Sequence, residues 1–203
     1  VATEAIDRIR TTAASHSRTM LIEIMGNKAG WLTLHAGIAA GADMILIPEI
    51  PFSVDKVCEF VAEQRRQGKT HTIIAVAEGA VLASEVKFKK SERTFVRTER
   101  GESTVTAHLA EVLQERTGFE TRTSVLGYLQ RGGTPCAYDR LLSSRLGGYA
   151  AKLACDGKFG VTAAVSGTRI TFNALADIAG KYKFVSPSCE TVRFAESIGI
   201  GFG

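Results

Sequence analysis

Three short apolar runs constrain this chain more than any other feature: residues 20–25 (MLIEIM), 44–47 (MILI) and 72–77 (TIIAVA). Runs of this length without polar alternation are buried on both faces, as the strands of a parallel sheet are. The segments between them carry helical periodicity instead. Residues 2–14 place Ile6 and Ile9 inward, and 29–40 present Trp31, Leu34, Ala36 and Ile38. Ser53 stands at an N-cap position with Lys56 at N3, opening a helix that runs to about Gln67 and stops at Gly68. Strands separated by helices imply βαβ units with right-handed crossovers, and hence an α/β class.

Composition narrows the class. The 203 residues suffice for one domain, or one and part of another. With 45% hydrophobic and 23% charged residues, the chain is neither disordered nor fibrous. No apolar run approaches the ~20 residues of a membrane span. The first ten residues carry Glu4, Asp7, Arg8 and Arg10 in an amphipathic pattern unlike a signal peptide. The chain starts without Met, so a processed or excised polypeptide is expected. Cys58, Cys136, Cys155 and Cys189 lack ligand spacing and no His pair sits at helical spacing, so no metal site is expected. The four read as buried free thiols of a cytoplasmic protein.

The net charge of +4 is concentrated. Lys87, Lys89, Lys90, Arg93, Arg97 and Arg100 face only Glu92 and Glu99, which gives this short segment the whole excess. It reads as a solvated basic loop over 85–102; contact with an anion or nucleic acid is the alternative. Residues 78–102 lack periodicity and look like an insertion or flap. A helix over 104–117 ending at Gly118, a strand over 123–126 and a helix over 138–155 follow.

In open α/β sheets, ligands bind beyond the carboxyl ends of the strands. Four such ends are legible. Met25-Gly26-Asn27 follows the first run, where a glycine admits a ligand close to the backbone. Pro48-Glu49 follows the second; Pro48 stops the strand and Glu49 caps a surface loop. Glu78 follows the third and suits the hydroxyls of a sugar-like ligand, or equally a helix cap. GYLQRGGTP over 127–135 combines three glycines with Tyr128 and Arg131, and its N–H groups and guanidinium suit a phosphate. Arg18 and Arg122 could add charge. No Ser-His-Asp set, acid/base dyad, GxGxxG or Walker loop is present, and His16, His35, His71 and His108 are scattered. The residues therefore point to a phosphorylated small molecule without naming a reaction.

EIMGNKAGWLTLHAGIAAGADMILIPEIPF (Glu23 to Phe52), AVAEGA (Ala75 to Ala80), ETRTSVLGYLQRGGTPCAYDRLLSSRLGGYAAKL (Glu120 to Leu153) and SHSR (Ser15 to Arg18) resemble the carboxyl-terminal half of 6-phosphofructokinase. The resemblance implies a three-layer α/β/α fold with a mostly parallel sheet. It implies phosphoryl transfer, in glycolysis, from ATP or pyrophosphate to the 1-hydroxyl of fructose 6-phosphate. By motif, Met25, Gly26 and Asn27 fall on the MGR triplet at the sugar phosphate. Glu78 falls on the sugar-hydroxyl glutamate, and Tyr128 and Arg131 on the 6-phosphate loop. Arg18 and Arg122 match arginines that reach a neighbouring subunit's site, which implies a homo-oligomer, dimer or tetramer. Arg10, Asp43 and Lys69 match positions of a nucleotide effector site.

The departures from the family pattern matter as much. Asn27 stands for the usual Arg and loses its charge. Tyr128 stands for the usual His and keeps a donor. The GGDG-type donor loop and the TIDND motif with the catalytic Asp occur nowhere in the chain. Mg2+ with ATP or pyrophosphate is therefore expected on a missing portion, against which residues 131–179 are expected to pack. No catalytic residue and no metal ligand is expected here, nor a nucleic-acid or membrane partner. Such a chain is expected to be inactive alone. The apolar face Leu141, Leu142, Leu146 and Leu153 would then lack its partner, with dimerisation, rearrangement or local disorder expected there. The alternative is a non-catalytic regulatory sugar-phosphate-binding protein.

Overall fold

The three apolar runs become the interior of one parallel sheet in the computed structural model, which describes residues 1–89, 91, 92 and 104–203. In chain order the first unit contains α1 (Ala2–Ser15), β1 (Thr19–Ile24), α2 (Trp31–Ala39), β2 (Met44–Leu46), α3 (Val54–Arg66) and β3 (Thr72–Ala77). It continues with α4 (Val105–Thr117) and β4 (Thr121–Val125). The strand order is β2-β3-β1-β4, every pair parallel. Register places Glu23 between Val76 of β3 and Val125 of β4.

Strand pleating sends alternate side chains into two cores. Ile22, Ile24, Ile45, Ile73 and Ala75 pack with Ile6 of α1 and Leu34 of α2. Leu21, Leu46, Ile74 and Val76 pack with Val57 of α3 and Leu109 of α4. The architecture is thus three layers, helices on both faces of a parallel sheet. Each fully buried Ile or Leu contributes about 1.5–3 kcal/mol, so these two cores hold the strand ends in place.

Local signals are met unevenly. Thr104 caps α4 by accepting from the Ala107 N–H at 3.2 Å, and Gly118 ends it at φ 71°, a left-handed conformation that glycine takes without strain. Ser53 occupies the N-cap of α3, but its side chain accepts no capping hydrogen bond. β4 starts two residues earlier than its apolar run because it is an edge strand with Arg122, Thr123 and Val125 exposed. The cysteines are free but none is fully buried: Cys136 and Cys155 are exposed, Cys58 and Cys189 half-buried. The thiols therefore sit at the margins of the packing, where the sequence reading put them in the core.

The chain from Phe184 onward returns to the first unit, a feature not foreseen from sequence. Its helix Glu190–Ser197 contributes Val192 and Ala195 to the core containing Ile6 and Leu34. Beyond it, Gly201 bonds the outer edge of β2 on either side of Met44: the Ile45 N–H donates to its carbonyl at 2.8 Å and its own N–H donates to the Asp43 carbonyl at 3.0 Å. That edge of the sheet is covered.

The second unit comprises Gly132–Lys183. It holds α5 (Ala137–Cys155), an antiparallel hairpin of β5 (Val161–Ser166) and β6 (Arg169–Ala174), and the short α6 (Leu175–Ile178). The two-residue turn Gly167-Thr168 has Gly167 at φ 59°. Helix α5 is formed throughout; Leu153 is buried, Leu142 and Leu146 are half-buried, and Leu141 is 61% exposed. Among the described residues, no helix is long and apolar enough to cross a membrane. Of the basic segment, Lys87 and Lys89 are exposed, whereas Lys90, Arg93, Arg97 and Arg100 lie outside the described residues.

Candidate functional site

The carboxyl ends of β1, β3 and β4 converge because the three strands are adjacent and parallel. From β1 the chain turns through Met25, Gly26 and Asn27, closed by an Ala29 N–H bond to the Gly26 carbonyl at 3.0 Å. Asn27 sits at φ 53°, the left-handed region that Asn tolerates better than most residues. From β3 comes Glu78, whose Oε1 accepts the Asn27 N–H at 2.6 Å and the Gly26 N–H at 3.2 Å. A carboxylate taking two N–H groups is a strong brace, and it shapes the turn around itself. Gly79 lies directly against the turn. A Cβ at that position would stand 2.1 Å from the Asn27 carbonyl oxygen.

From β4 the chain enters a 3-10 turn, Gly127–Arg131, where the sequence suggested an open glycine loop. Its Gln130 explains the difference: Oε1 accepts the Met25 N–H at 3.2 Å, and Nε2 donates to the Gly127 carbonyl at 3.2 Å. Tyr128 is 81% exposed, and the Arg131 guanidinium lies 5.8 Å from its ring centroid, within cation–π range. Between the strand ends opens a cavity of about 170 Å³, lined by Glu23, Ile24, Met25, Glu78, Val125, Gly127 and Tyr128. Its lining offers acceptors from Glu78 and a donor from Tyr128, and the Arg131 guanidinium stands beside the Tyr128 ring; together these groups complement a polyol phosphate.

Two expected members are elsewhere. Arg18 precedes β1 and Arg122 is the second residue of β4, so both lie toward the amino edge of the sheet. That is roughly 20 Å along the strand from Met25. Both bind Glu120, at 2.9 and 2.8 Å. Within one copy of the chain they cannot share the cavity with Glu78. The Arg18 hydrogen bond, aided by the charges of both arginines and opposed by partial burial, holds the Glu120 carboxyl below its ordinary value of 4.5. A depressed carboxylate stabilises the fold above its unfolded pKa and loses that contribution as pH falls through the folded one. Glu120→Gln is therefore expected to melt below the wild type at pH 7, with the gap narrowing as the pH is lowered below 4.5, read by calorimetry across that range.

The effector candidates occupy that same amino edge and are engaged with the fold. Arg10 Nη2 donates to the Ala40 and Gly41 carbonyls, where cations favour a helix C-terminus. Lys69 pairs with Asp43 Oδ1, and Asp43 Oδ2 accepts the Ile73 N–H at 2.7 Å. Burial pushes the nearby His71 below its ordinary pKa, against the pull of Asp43. Charges spent on one another leave little for an added anion.

Sequence reasoning missed four positioning residues. Glu49, read as a surface cap, is half-buried and accepts the Gly30 N–H at 3.0 Å and the Val185 N–H at 2.9 Å. It thereby ties the returning chain to the start of α2. Glu120, Gln130 and Gly79 were passed over because their partners are distant in sequence.

The family model described as Phosphofructokinase matches residues 1–154. An ATP-dependent 6-phosphofructokinase of Spirochaeta thermophila is 45% identical over the whole chain, which covers 56% of that protein. A pyrophosphate–fructose 6-phosphate 1-phosphotransferase of Amycolatopsis methanolica is 49% identical over 92% of the chain and 54% of its own length. The chain thus spans about half the length of the curated relatives it matches. Among solved structures, phosphofructokinase from Saccharomyces cerevisiae superposes with a TM-score of 0.73 at 36% identity, over 87% of this chain and 22% of that one. A pyrophosphate-dependent phosphofructokinase from Marinobacter aquaeolei gives 0.75 at 22% identity, over the whole chain and 50% of that one, a likeness of fold alone.

Proposed function

This chain belongs to the phosphofructokinase family, and on that premise we propose that it is the acceptor side of a 6-phosphofructokinase, gripping fructose 6-phosphate in the cleft beyond β1, β3 and β4. The convergence of Glu78 and Tyr128 on one cavity, with the Arg131 guanidinium beside the Tyr128 ring, carries the reading. Glu78 commits Oε1 to the Gly26 and Asn27 N–H groups, and Oε2 accepts from a sugar hydroxyl. Arg131 and the Tyr128 hydroxyl donate to the 6-phosphate, the guanidinium supplying charge and planar geometry. Met25 forms the wall. Arg18 and Arg122, remote from the cavity of their own copy, serve the site of a second copy in a homo-oligomer, displacing Glu120 to do so.

The donor, ATP or pyrophosphate with Mg2+, belongs to a portion outside this chain. Among the described residues, no three His, Cys, Asp or Glu side chains come together as a metal site. The relatives include both donor types by name, and Asn27 brings no charge toward the transferring group. A non-catalytic sugar-phosphate-binding role uses the same cleft and differs only in lacking turnover in the full-length protein.

Calorimetric titration of the chain with fructose 6-phosphate tests the reading. Arg131→Ala is expected to weaken binding by about 2–3 kcal/mol, roughly 30- to 150-fold, the loss of a charge-assisted contact. Wild-type affinity in that variant would overturn the phosphate assignment.

A further inference from the structure

The cavity also holds a carboxylate to which nothing above gives a role. Glu23 is the fifth residue of β1, a strand whose neighbours Leu21, Ile22 and Ile24 are fully buried. Glu23 is itself only 7% exposed, yet it lines the cavity beside Met25, Glu78 and Tyr128. Its Oε2 is sealed from solvent and has no hydrogen-bond partner among the described residues. Burying an anion without a donor is expensive, and an apolar side chain of similar size would remove the cost. A buried polar group left unmatched at a cavity wall calls for a partner from outside the fold.

We propose that Glu23 is a second carboxylate contact for the sugar, accepting a hydrogen bond from one of its hydroxyls. This rests on the reading of the cleft as a sugar-phosphate site. The two carboxylates are not equivalent. Glu78 braces the Gly26-Asn27 turn through Oε1, whereas Glu23 has no such commitment. A hydroxyl also suits the place better than a cation. Only these two carboxylates line the cavity, and a hard divalent ion demands about six oxygen ligands. A hydroxyl needs one acceptor. The phosphate end of the ligand is answered at Arg131, so Glu23 acts on the sugar and not on the phosphate.

Titrations with fructose 6-phosphate and, separately, with inorganic phosphate test this, on the wild type, Glu23→Gln, Glu23→Leu and Arg131→Ala, together with thermal melting. Both Glu23 variants are expected to bind the sugar phosphate about tenfold more weakly and inorganic phosphate unchanged, while Arg131→Ala weakens both ligands. Glu23→Leu is expected to melt several degrees above the wild type, because it removes a buried charge without a partner. A structural carboxylate would behave oppositely. Melting of Glu23→Leu below the wild type, or equal loss of both ligands in Glu23→Gln, overturns the proposal. Sugar-phosphate binding that depends on Arg131 but not on Glu23 overturns it and leaves the cleft assignment standing. A wild type that binds no fructose 6-phosphate overturns both.

Discussion

Mixed with fructose 6-phosphate, magnesium and either ATP or pyrophosphate, this chain alone is expected to form no fructose 1,6-bisphosphate. Phosphoryl transfer needs a positioned donor, a metal to neutralise developing charge and a carboxylate to orient or deprotonate the attacking hydroxyl. On the proposed reading the cleft supplies an acceptor grip and little else. Of its two carboxylates, Glu78 braces the Gly26 and Asn27 N–H groups through Oε1, and Glu23 sits within β1 with only 7% of its surface exposed, so both are assigned to gripping the sugar and neither to holding a donor. No donor-type GGDG or TIDND segment occurs in the sequence, and no metal cluster is found among the described residues. Enzymatic rate enhancements of a millionfold or more depend on those parts, so their loss carries turnover below any coupled assay. Product formation above the blank, in the absence of other polypeptides, would show that this half carries catalytic groups of its own. Restoration of turnover on adding a polypeptide that bears the donor motifs is the positive counterpart.

How much of this was legible in the sequence depends on where each residue finds its partner. The strands 44–47 and 72–77 were plain because Ile45, Leu46, Ile73 and Ile74 are buried on both faces of the sheet, which demands unbroken apolar runs. Strand order was not, because parallel pairing is set by crossovers and not by a local turn. β4 was half-read, since an edge strand keeps Arg122 and Thr123 in solvent. The cleft residues Met25, Glu78 and Tyr128 were found from a positional rule that needs only strand ends. Gln130, Glu49 and Glu120 carry no such mark. Each bonds a group whose place emerges only when the sheet is assembled: Met25, Val185 and Arg18. Arg18 stands immediately before a six-residue strand, so rise per residue alone separates it from the far end of that strand.

Gly79→Ala is expected to be the most damaging glycine-to-alanine substitution in the first unit. The added Cβ would meet the Asn27 carbonyl oxygen at 2.1 Å and Pro48 Cγ at 3.2 Å. The nearer obstacle is backbone, and it cannot retreat freely. Asn27 already holds φ 53°, and its N–H is pinned by Glu78 at 2.6 Å. Moving the turn therefore breaks the carboxylate brace as well as relieving the clash. Overpacking of this severity costs about 3 kcal/mol, which for a chain of this size lowers the melting temperature by roughly 6–12 °C. Fructose 6-phosphate affinity should fall further than stability alone requires, because Glu78 and the Met25-Gly26-Asn27 turn are displaced together. Gly147→Ala provides the reference. That glycine lies inside α5, where a Cβ meets nothing within 4 Å, and the change should stabilise the chain by about 0.5–1 kcal/mol. Melting and titration of the two variants side by side decide the matter. If Gly79→Ala melts with the wild type and binds as well, the close approach of the β3 end to the Asn27 turn does not shape this cleft.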